Sequence, residues 1–302
     1  MQSTKCLIIT CGFFGDIFFA SSIAKKLIEE DQFNSIDYLI GFPQTHRLVS
    51  NNPYINNVYV SQHPGPYPAH KDIDYSKYDK VIRLSALNYL VTPCEEYQQI
   101  AGVRNPSSEY EIYTQPEFDE IADKYVADLK REKGKPVLGV MSNWEPKTYL
   151  FTEEQYQRGI DVPNLGYGGA HRNINFILAE LEKAFTLIPL GVGPLNQIDT
   201  LSLQEEDSKS LLFEASLMKH CDAFIGTDGG LATIAAGVGT KTIITGDFNL
   251  QLYGWNGVIK KIQHPKLGPK EYFGDPHVVL DPYLDDREVV KQIKTILSEN
   301  NI

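Results

Sequence analysis

The sequence predicts an α/β protein made of two units, each with a parallel sheet. Its 302 residues are about twice the length of a typical single domain. Short apolar runs alternate with helix-like segments, which is the pattern of strand–helix–strand crossovers. The pattern restarts after Lys133-Gly134-Lys135-Pro136, so the predicted units are residues 1–133 and 134–302.

The first unit begins with an apolar run at 5–11 that is ended by Gly12. Helical spacing of apolar residues follows from Ile17 to Ile28, which predicts a strand, a tight turn and a helix. The other elements predicted for this unit are strands at 36–41, 57–60 and 80–84, a proline-rich loop at 63–68 and a helix at 117–132.

The second unit repeats the same alternation. Its predicted strands are at 136–141, 186–191, 222–226 and 241–246, and its predicted helices are at 174–185, 211–219, 231–237 and 286–299.

The composition excludes several classes of protein. Hydrophobic residues make up 42% and charged residues 22%, which is typical of a globular chain and not of a disordered one. The four cysteines lie far apart and are expected to be reduced thiols, so a cytoplasmic location is expected. No apolar run approaches the roughly 20 residues that a membrane span needs.

The net charge of −11 bears on the partners of the protein. With 28 basic and 39 acidic residues, the long-range field repels a polyanion, so a DNA partner is possible but disfavoured. One basic cluster could still contact phosphates, although a solvated loop is the favoured interpretation. It consists of Lys260, Lys261, Lys266 and Lys270.

The first candidate site is the turn between the first strand and the first helix. It contains Gly12, Phe13, Phe14, Gly15 and Asp16. In open α/β sheets, ligands bind at this edge, where backbone N–H groups and the helix dipole point. The third glycine of a dinucleotide-binding fingerprint is missing, so NAD is disfavoured as a cofactor.

Asp16 has two interpretations. The carboxylate can cap the helix that it precedes. Alternatively, it can act in the cleft as a general base, since the neighbouring phenylalanines would surround it with apolar surface and raise its pKa. The residues alone leave both possibilities open.

The second candidate site is a glycine-rich turn in the second unit. Thr227, Asp228, Gly229 and Gly230 follow the strand that ends near Gly226. Free N–H groups at the start of a helix bind anions, so this turn suits a diphosphate, with Ala232 and Thr233 in the first helical turn. The alternative is that the glycines serve only tight packing.

Together the two turns resemble those of the heptosyltransferase-like glycosyltransferases, glycosyltransferase family 9. The segment 51–58 is similar to the family's connection into its third strand. The resemblance implies a GT-B fold, in which two Rossmann-like domains with parallel sheets face an interdomain cleft. The N-terminal domain would bind the acceptor and the C-terminal domain the nucleotide sugar.

The resemblance also implies roles for particular residues. Asp16 matches the family's proposed catalytic base, and Asp228 with Gly229 and Gly230 matches its donor-binding turn. Lys147 resembles the family's lysine near the donor phosphates. The sequence departs from the family at Thr233, where a histidine is usual, and at 161–171, which has no recognisable counterpart.

Metal and nucleotidase motifs are weak. The histidines lack ligand spacing, and no P-loop is present. Asp72-Ile73-Asp74 has the form of a D-x-D metal motif but lies in a polar link before a strand. No cofactor or metal is therefore predicted, and a nucleotide-diphosphate sugar is expected as co-substrate.

The predicted function is metal-independent, inverting transfer of a sugar from a nucleotide-diphosphate donor to an acceptor hydroxyl. A cell-surface saccharide is the expected acceptor. Two alternatives stay open: a phage-type enzyme that glycosylates hydroxymethylated DNA bases, and a non-catalytic module that binds nucleotide sugars.

Overall fold

The computed structural model describes most of the chain. The described residues are 4–10, 14–62, 68–84, 92–141, 174–191, 210–226, 229–245, 277–280 and 284–302.

The first sheet has four parallel strands in the order β3-β2-β1-β4. Ile8 of β1 lies beside Tyr38 of β2 and Ile82 of β4. The two central strands, at 5–9 and 35–40, are buried on both faces, and such strands read as largely apolar runs in a sequence. The strands are β1 (Lys5–Ile9), β2 (Ser35–Ile40), β3 (Asn57–Val60) and β4 (Lys80–Arg83).

Four helices accompany this sheet: α1 (Phe14–Glu29), α2 (His46–Val49), α3 (Pro93–Ala101) and α4 (Pro116–Lys133). Helix α1 buries Phe18, Ile23 and Leu27 against the sheet and α3. Each such side chain stabilises the fold by about 1.5–3 kcal/mol. Helix α4 ends at Gly134, whose φ of 62° is left-handed, a conformation that glycine adopts without strain.

The second sheet has five parallel strands in the order β6-β5-β7-β8-β9. The strands are β5 (Val137–Met141), β6 (Thr186–Leu190), β7 (Ala223–Gly226), β8 (Thr242–Ile244) and β9 (Val278–Val279). Its helices are α5 (Ile174–Glu182), α6 (Leu211–His220), α7 (Gly230–Gly237) and α8 (Asp286–Glu299).

The two sheets share one hydrophobic cluster. It includes Ile8 and Phe18 from the first sheet and its helix, and Phe213 and Phe224 from the second. Helix α4 precedes the predicted boundary at residue 134 but packs on α6. Lys130 Nζ of α4 also lies 2.7 Å from Oδ1 of Asp222, in the short link between α6 and β7. The division into residues 1–133 and 134–302 stays a prediction.

The predicted strands and helices are present, with differences in their bounds, and the predicted loop at 63–68 lies almost wholly outside the described residues. Strand β1 ends at Ile9 and does not continue through Thr10. Helix α5 ends at Glu182, because the chain turns there and buries Phe185 in the core before β6. Helices α2 and α3 and strand β9 were not predicted. Helix α3 has a recognisable start, because Thr92 accepts a hydrogen bond from the Glu95 N–H.

Candidate functional site at two facing helix starts

Asp16 lies in the first turn of α1, directly beyond the carboxyl end of β1. It is the third residue of the helix, after Phe14 and Gly15, so the structure places it inside the first turn. Gly12 and Phe13 lie outside the described residues. The positive end of the helix dipole favours a negative charge at this position.

A buried tyrosine contacts the Asp16 carboxylate. Tyr97, on α3, is 1% exposed, and its hydroxyl donates a hydrogen bond of 2.8 Å to Asp16 Oδ1. A hydrogen bond to a charged group is about twice as strong as a neutral one. The carboxylate is therefore held in a defined orientation from the protein side.

A second buried tyrosine fixes the backbone beside Asp16. The hydroxyl of Tyr38, on β2, donates to the carbonyl of Ile17 over 2.8 Å. Burial raises the pKa of Tyr38, and the negative charge of Asp16 raises it further. The phenol stays protonated and keeps its role as a donor.

The glycine-rich turn of the second unit leads into α7. Thr227 and Asp228 lie outside the described residues, and Gly229 directly precedes the helix. Thr233 is 1% exposed, and its hydroxyl donates to the Gly229 carbonyl over 3.1 Å. Ala232 is also buried. In this turn the groups suited to a ligand are backbone N–H groups, since the first amides of a helix have no partner within it.

The two predicted turns meet, although they belong to different sheets. A Cβ atom added to Gly15 would lie 3.2 Å from Thr233 Oγ1, and one added to Gly230 would lie 2.8 Å from Phe14 Cβ. There is no room for a side chain at position 230, so glycine is required there. The starts of α1 and α7 therefore lie against each other, and Asp16 directly follows the residues of α1 that make this contact.

The segment before α4 holds α7 in this position. The Tyr110 hydroxyl donates to the Thr233 carbonyl over 2.8 Å, and the Ile112 N–H donates to the Gly237 carbonyl over 2.9 Å. The Tyr110 ring also packs edge-on against Phe19 of α1, with 5.0 Å between ring centroids. One aromatic side chain thus bridges the two helices.

Glu214 was missed by the sequence analysis. It lies in the first turn of α6, is 5% exposed, and accepts a hydrogen bond of 3.0 Å from the Gly191 N–H at the end of β6. Burial raises its pKa to about 7. Strands β6 and β7 are parallel in one sheet, so Glu214 lies at the same edge as the start of α7. The sequence analysis overlooked Glu214 because its neighbours in the helix are apolar. An acidic residue in the first turn of a helix could have marked it as a candidate.

Several predicted residues lie outside the described part of the chain, so their roles stay predictions. They are Lys147, Thr227, Asp228, Gly12, Phe13 and the lysines at 260, 261, 266 and 270.

The D-x-D acids are described and have protein partners. The Asp74 carboxylate accepts hydrogen bonds from the Ser76 N–H and hydroxyl, and these lower its pKa. Asp72 accepts one from Gln62. Within the described ranges, no group of three or more potential ligands could hold a metal ion. None of the described helices is long and apolar enough to cross a membrane.

Comparisons with known proteins place the fold. No protein-family model matches the chain, and no curated protein sequence does. Among solved structures, a glycosyl transferase family 9 protein from Veillonella parvula aligns over 99% of both chains, with a TM-score of 0.57 and 14% identity. ADP-heptose lps heptosyltransferase II from E. coli aligns over 99% of this chain and 100% of its own, with a TM-score of 0.54 and 12% identity.

This chain has the GT-B fold. The expected architecture of two Rossmann-like units with parallel sheets is therefore confirmed, and the structural resemblance to family 9 extends along the whole chain. In open α/β sheets, ligands bind outside the carboxyl ends of the strands. Asp16 lies at that edge of the first sheet, and the start of α7 and Glu214 lie at that edge of the second.

Proposed function

We propose that this GT-B protein is a glycosyltransferase that uses a nucleotide-diphosphate sugar. The observation that carries the proposal is the convergence of the α1 and α7 helix starts, with Asp16 beside them. One helix start offers amides for an anion, and the other offers a carboxylate for proton transfer. Neither feature alone specifies group transfer, whereas the two together suit a reaction that makes an anion and releases a proton.

The donor diphosphate binds at the start of α7. Its negative charge grows as the bond to the sugar breaks, and the amides near Gly229 and Gly230 stabilise that charge. Thr227, Asp228 and Lys147 contribute to the same site. Thr233 supports this site indirectly, because its side chain is buried and its hydroxyl donates a hydrogen bond to the Gly229 carbonyl. Such a site needs no metal.

Glu214 extends the donor site along the edge of the second sheet. With a pKa of about 7, its carboxyl can either donate or accept a hydrogen bond near neutral pH. A group with vicinal hydroxyls, such as the ribose of a nucleotide, is a suitable partner. We assign Glu214 to the nucleoside end of the donor.

Asp16 acts as the general base. The acceptor oxygen loses its proton to the carboxylate and forms a bond to the anomeric carbon. The bond from that carbon to the diphosphate oxygen breaks, and the nucleoside diphosphate leaves with the electron pair. A single displacement of this kind inverts the anomeric configuration.

The acceptor is a saccharide. The E. coli structural neighbour is named an ADP-heptose lps heptosyltransferase, and its fold is shared here. The net charge of −11 also favours an acceptor other than a nucleic acid.

The described cysteines 6, 94 and 221 are buried free thiols, which agrees with a cytoplasmic location.

A donor screen tests the proposal. Each nucleoside diphosphate and its sugar conjugates is added to the protein, and the thermal unfolding midpoint is measured. A ligand at 100 times its dissociation constant stabilises the fold by about 2.7 kcal/mol. The matching nucleoside monophosphate is the control, since it keeps the base and ribose but lacks the diphosphate. Absence of stabilisation by every nucleoside diphosphate would contradict the proposal.

A further inference from the structure

One contact of Asp16 comes from a helix that the sequence analysis did not predict. Tyr97, on α3, is among the largest fully buried side chains, and its hydroxyl lies 2.8 Å from Asp16 Oδ1. We propose that Tyr97 is a positioning residue that orients the Asp16 carboxylate and favours its ionised form as proton acceptor. This inference rests on the proposed role of Asp16 as general base.

Burial leaves the Tyr97 hydroxyl little freedom. A phenol that is 1% exposed cannot exchange its hydrogen bond for one to bulk water, and a buried hydroxyl without a partner is costly. The donor therefore stays on the carboxylate. A side chain that only filled the core could be phenylalanine, so the hydroxyl at this place requires an explanation of its own.

The position of Tyr97 is set by contacts on both sides of it along α3. Gln98 Nε2 donates to Ser22 Oγ of α1 over 3.1 Å, and Ser22 Oγ lies 3.2 Å from Cys94 Sγ. At the end of α3, Gly102 adopts a left-handed φ of 82° and closes the helix. Helix α3 is thus fixed to α1, the helix that carries Asp16. The Tyr97 hydroxyl and the Asp16 carboxylate therefore keep their relative positions.

The other titratable groups near Asp16 are all present in Tyr97→Phe, and the control variant lacks only Tyr38. On β2, Tyr38 is coupled electrostatically to Asp16 and donates to a backbone carbonyl. On α3, Glu95 and Glu96 lie beside Tyr97 in the sequence. Helix α7 carries no ionisable side chain. The lysines of α1, Lys25 and Lys26, lie more than two helical turns further along that helix.

The sign of the effect follows from what the hydrogen bond stabilises. A donor to a carboxylate stabilises the charged form, so its loss makes protonation easier and moves the titration midpoint of Asp16 upward. Because one hydrogen bond to the charged form is lost, the midpoint should rise by roughly one unit or more. The acid limb of the activity profile moves to higher pH by the same amount.

The experiment compares Tyr97→Phe with Tyr38→Phe. Each variant removes one buried phenolic hydroxyl, but only the first removes a donor to Asp16. The Asp16 carboxyl carbon is followed by NMR in protein labelled with ¹³C-aspartate, and its signal is assigned by its loss in Asp16→Asn. Tyr97→Phe should raise the midpoint by about one unit, and Tyr38→Phe should leave it unchanged. Equal midpoints in wild type and Tyr97→Phe, or equal shifts in both variants, would overturn the inference.

Two further measurements keep the outcomes separate. If Tyr97→Phe does not fold, 3-fluorotyrosine at position 97 replaces it, since this residue keeps the ring and is a stronger hydrogen-bond donor. It should lower the titration midpoint of Asp16. An unchanged midpoint would count against the inference. Once the nucleotide-sugar substrate is identified, the pH profile of kcat/KM is measured. Near-normal turnover in Asp16→Asn would defeat the proposed function, while the NMR titration would still decide the role of Tyr97.

Discussion

Substitution of Glu214 by glutamine should stabilise the protein at alkaline pH and not at acidic pH. Burial raises the pKa of this carboxyl from 4.5 to about 7, so the folded state resists its ionisation. The stability that the protonated form provides is complete below about pH 4.5 and is lost as the pH rises through about 7. Glutamine is neutral throughout and keeps an oxygen for the Gly191 N–H.

The magnitude follows from the size of the shift. A difference of 7 − 4.5 = 2.5 units, at 1.36 kcal/mol per unit, amounts to about 3 kcal/mol. The side chain is 5% exposed, so solvent screening reduces this value little. The free energy of unfolding of the variant, relative to wild type, should therefore increase by about 3 kcal/mol between pH 4.5 and pH 8.

Urea denaturation at a series of pH values measures this difference. Glu299→Gln, at an exposed position at the end of α8, is the matched control, because it makes the same substitution where the side chain is in solvent. If the Glu214→Gln difference is constant with pH, the carboxyl is ionised in the folded protein and the reasoning is refuted. The same variant should bind the nucleoside diphosphate more weakly, which would mark the buried acid as a ligand group retained at a cost in stability.

Two other predictions concern the donor site. Gly230→Ala should lower the affinity for the sugar donor and destabilise the fold by about 1–3 kcal/mol, because its Cβ would lie 2.8 Å from Phe14 Cβ. The control is Gly237→Ala, which adds a methyl group at the far end of α7, against Ile112. This variant should lower stability without an equal loss of donor affinity. Denaturation and donor titration of both variants check this. Transfer activity should survive excess EDTA; loss of activity that Mg²⁺ or Mn²⁺ restores would return Asp72 and Asp74 to consideration.

Local patterns in the sequence were sufficient for the sheets. Strand β1 and the strand β7 before the glycine turn are apolar runs buried on both faces, which periodicity detects without knowledge of the partners. The placement of Asp16 and Gly230 at helix starts also followed from local rules, because glycine turns and the end of an apolar run mark those starts.

Contacts between distant parts of the chain were not predictable from one sequence. Tyr97 and Asp16 are separated by 81 positions, and no spacing rule joins them. Helix α3 was overlooked because its apolar residues are few, although Thr92, Pro93 and Glu95 form a recognisable helix start. The approach of Gly15 to Thr233 depends on how two sheets pack, and that is a property of the folded core.

The most direct test of the account is the release of nucleoside diphosphate in the presence of acceptor by wild type, Asp16→Asn and Asp31→Asn. Asp31 lies just after the other end of α1, is exposed, and has a left-handed φ of 54° that asparagine tolerates, so this control removes the same charge. Asp16→Asn should bind donor normally and turn over at least about 100-fold more slowly, as expected for loss of a general base. Asp31→Asn should match wild type. Near-normal turnover in Asp16→Asn would contradict the central claim that this carboxylate removes the acceptor proton.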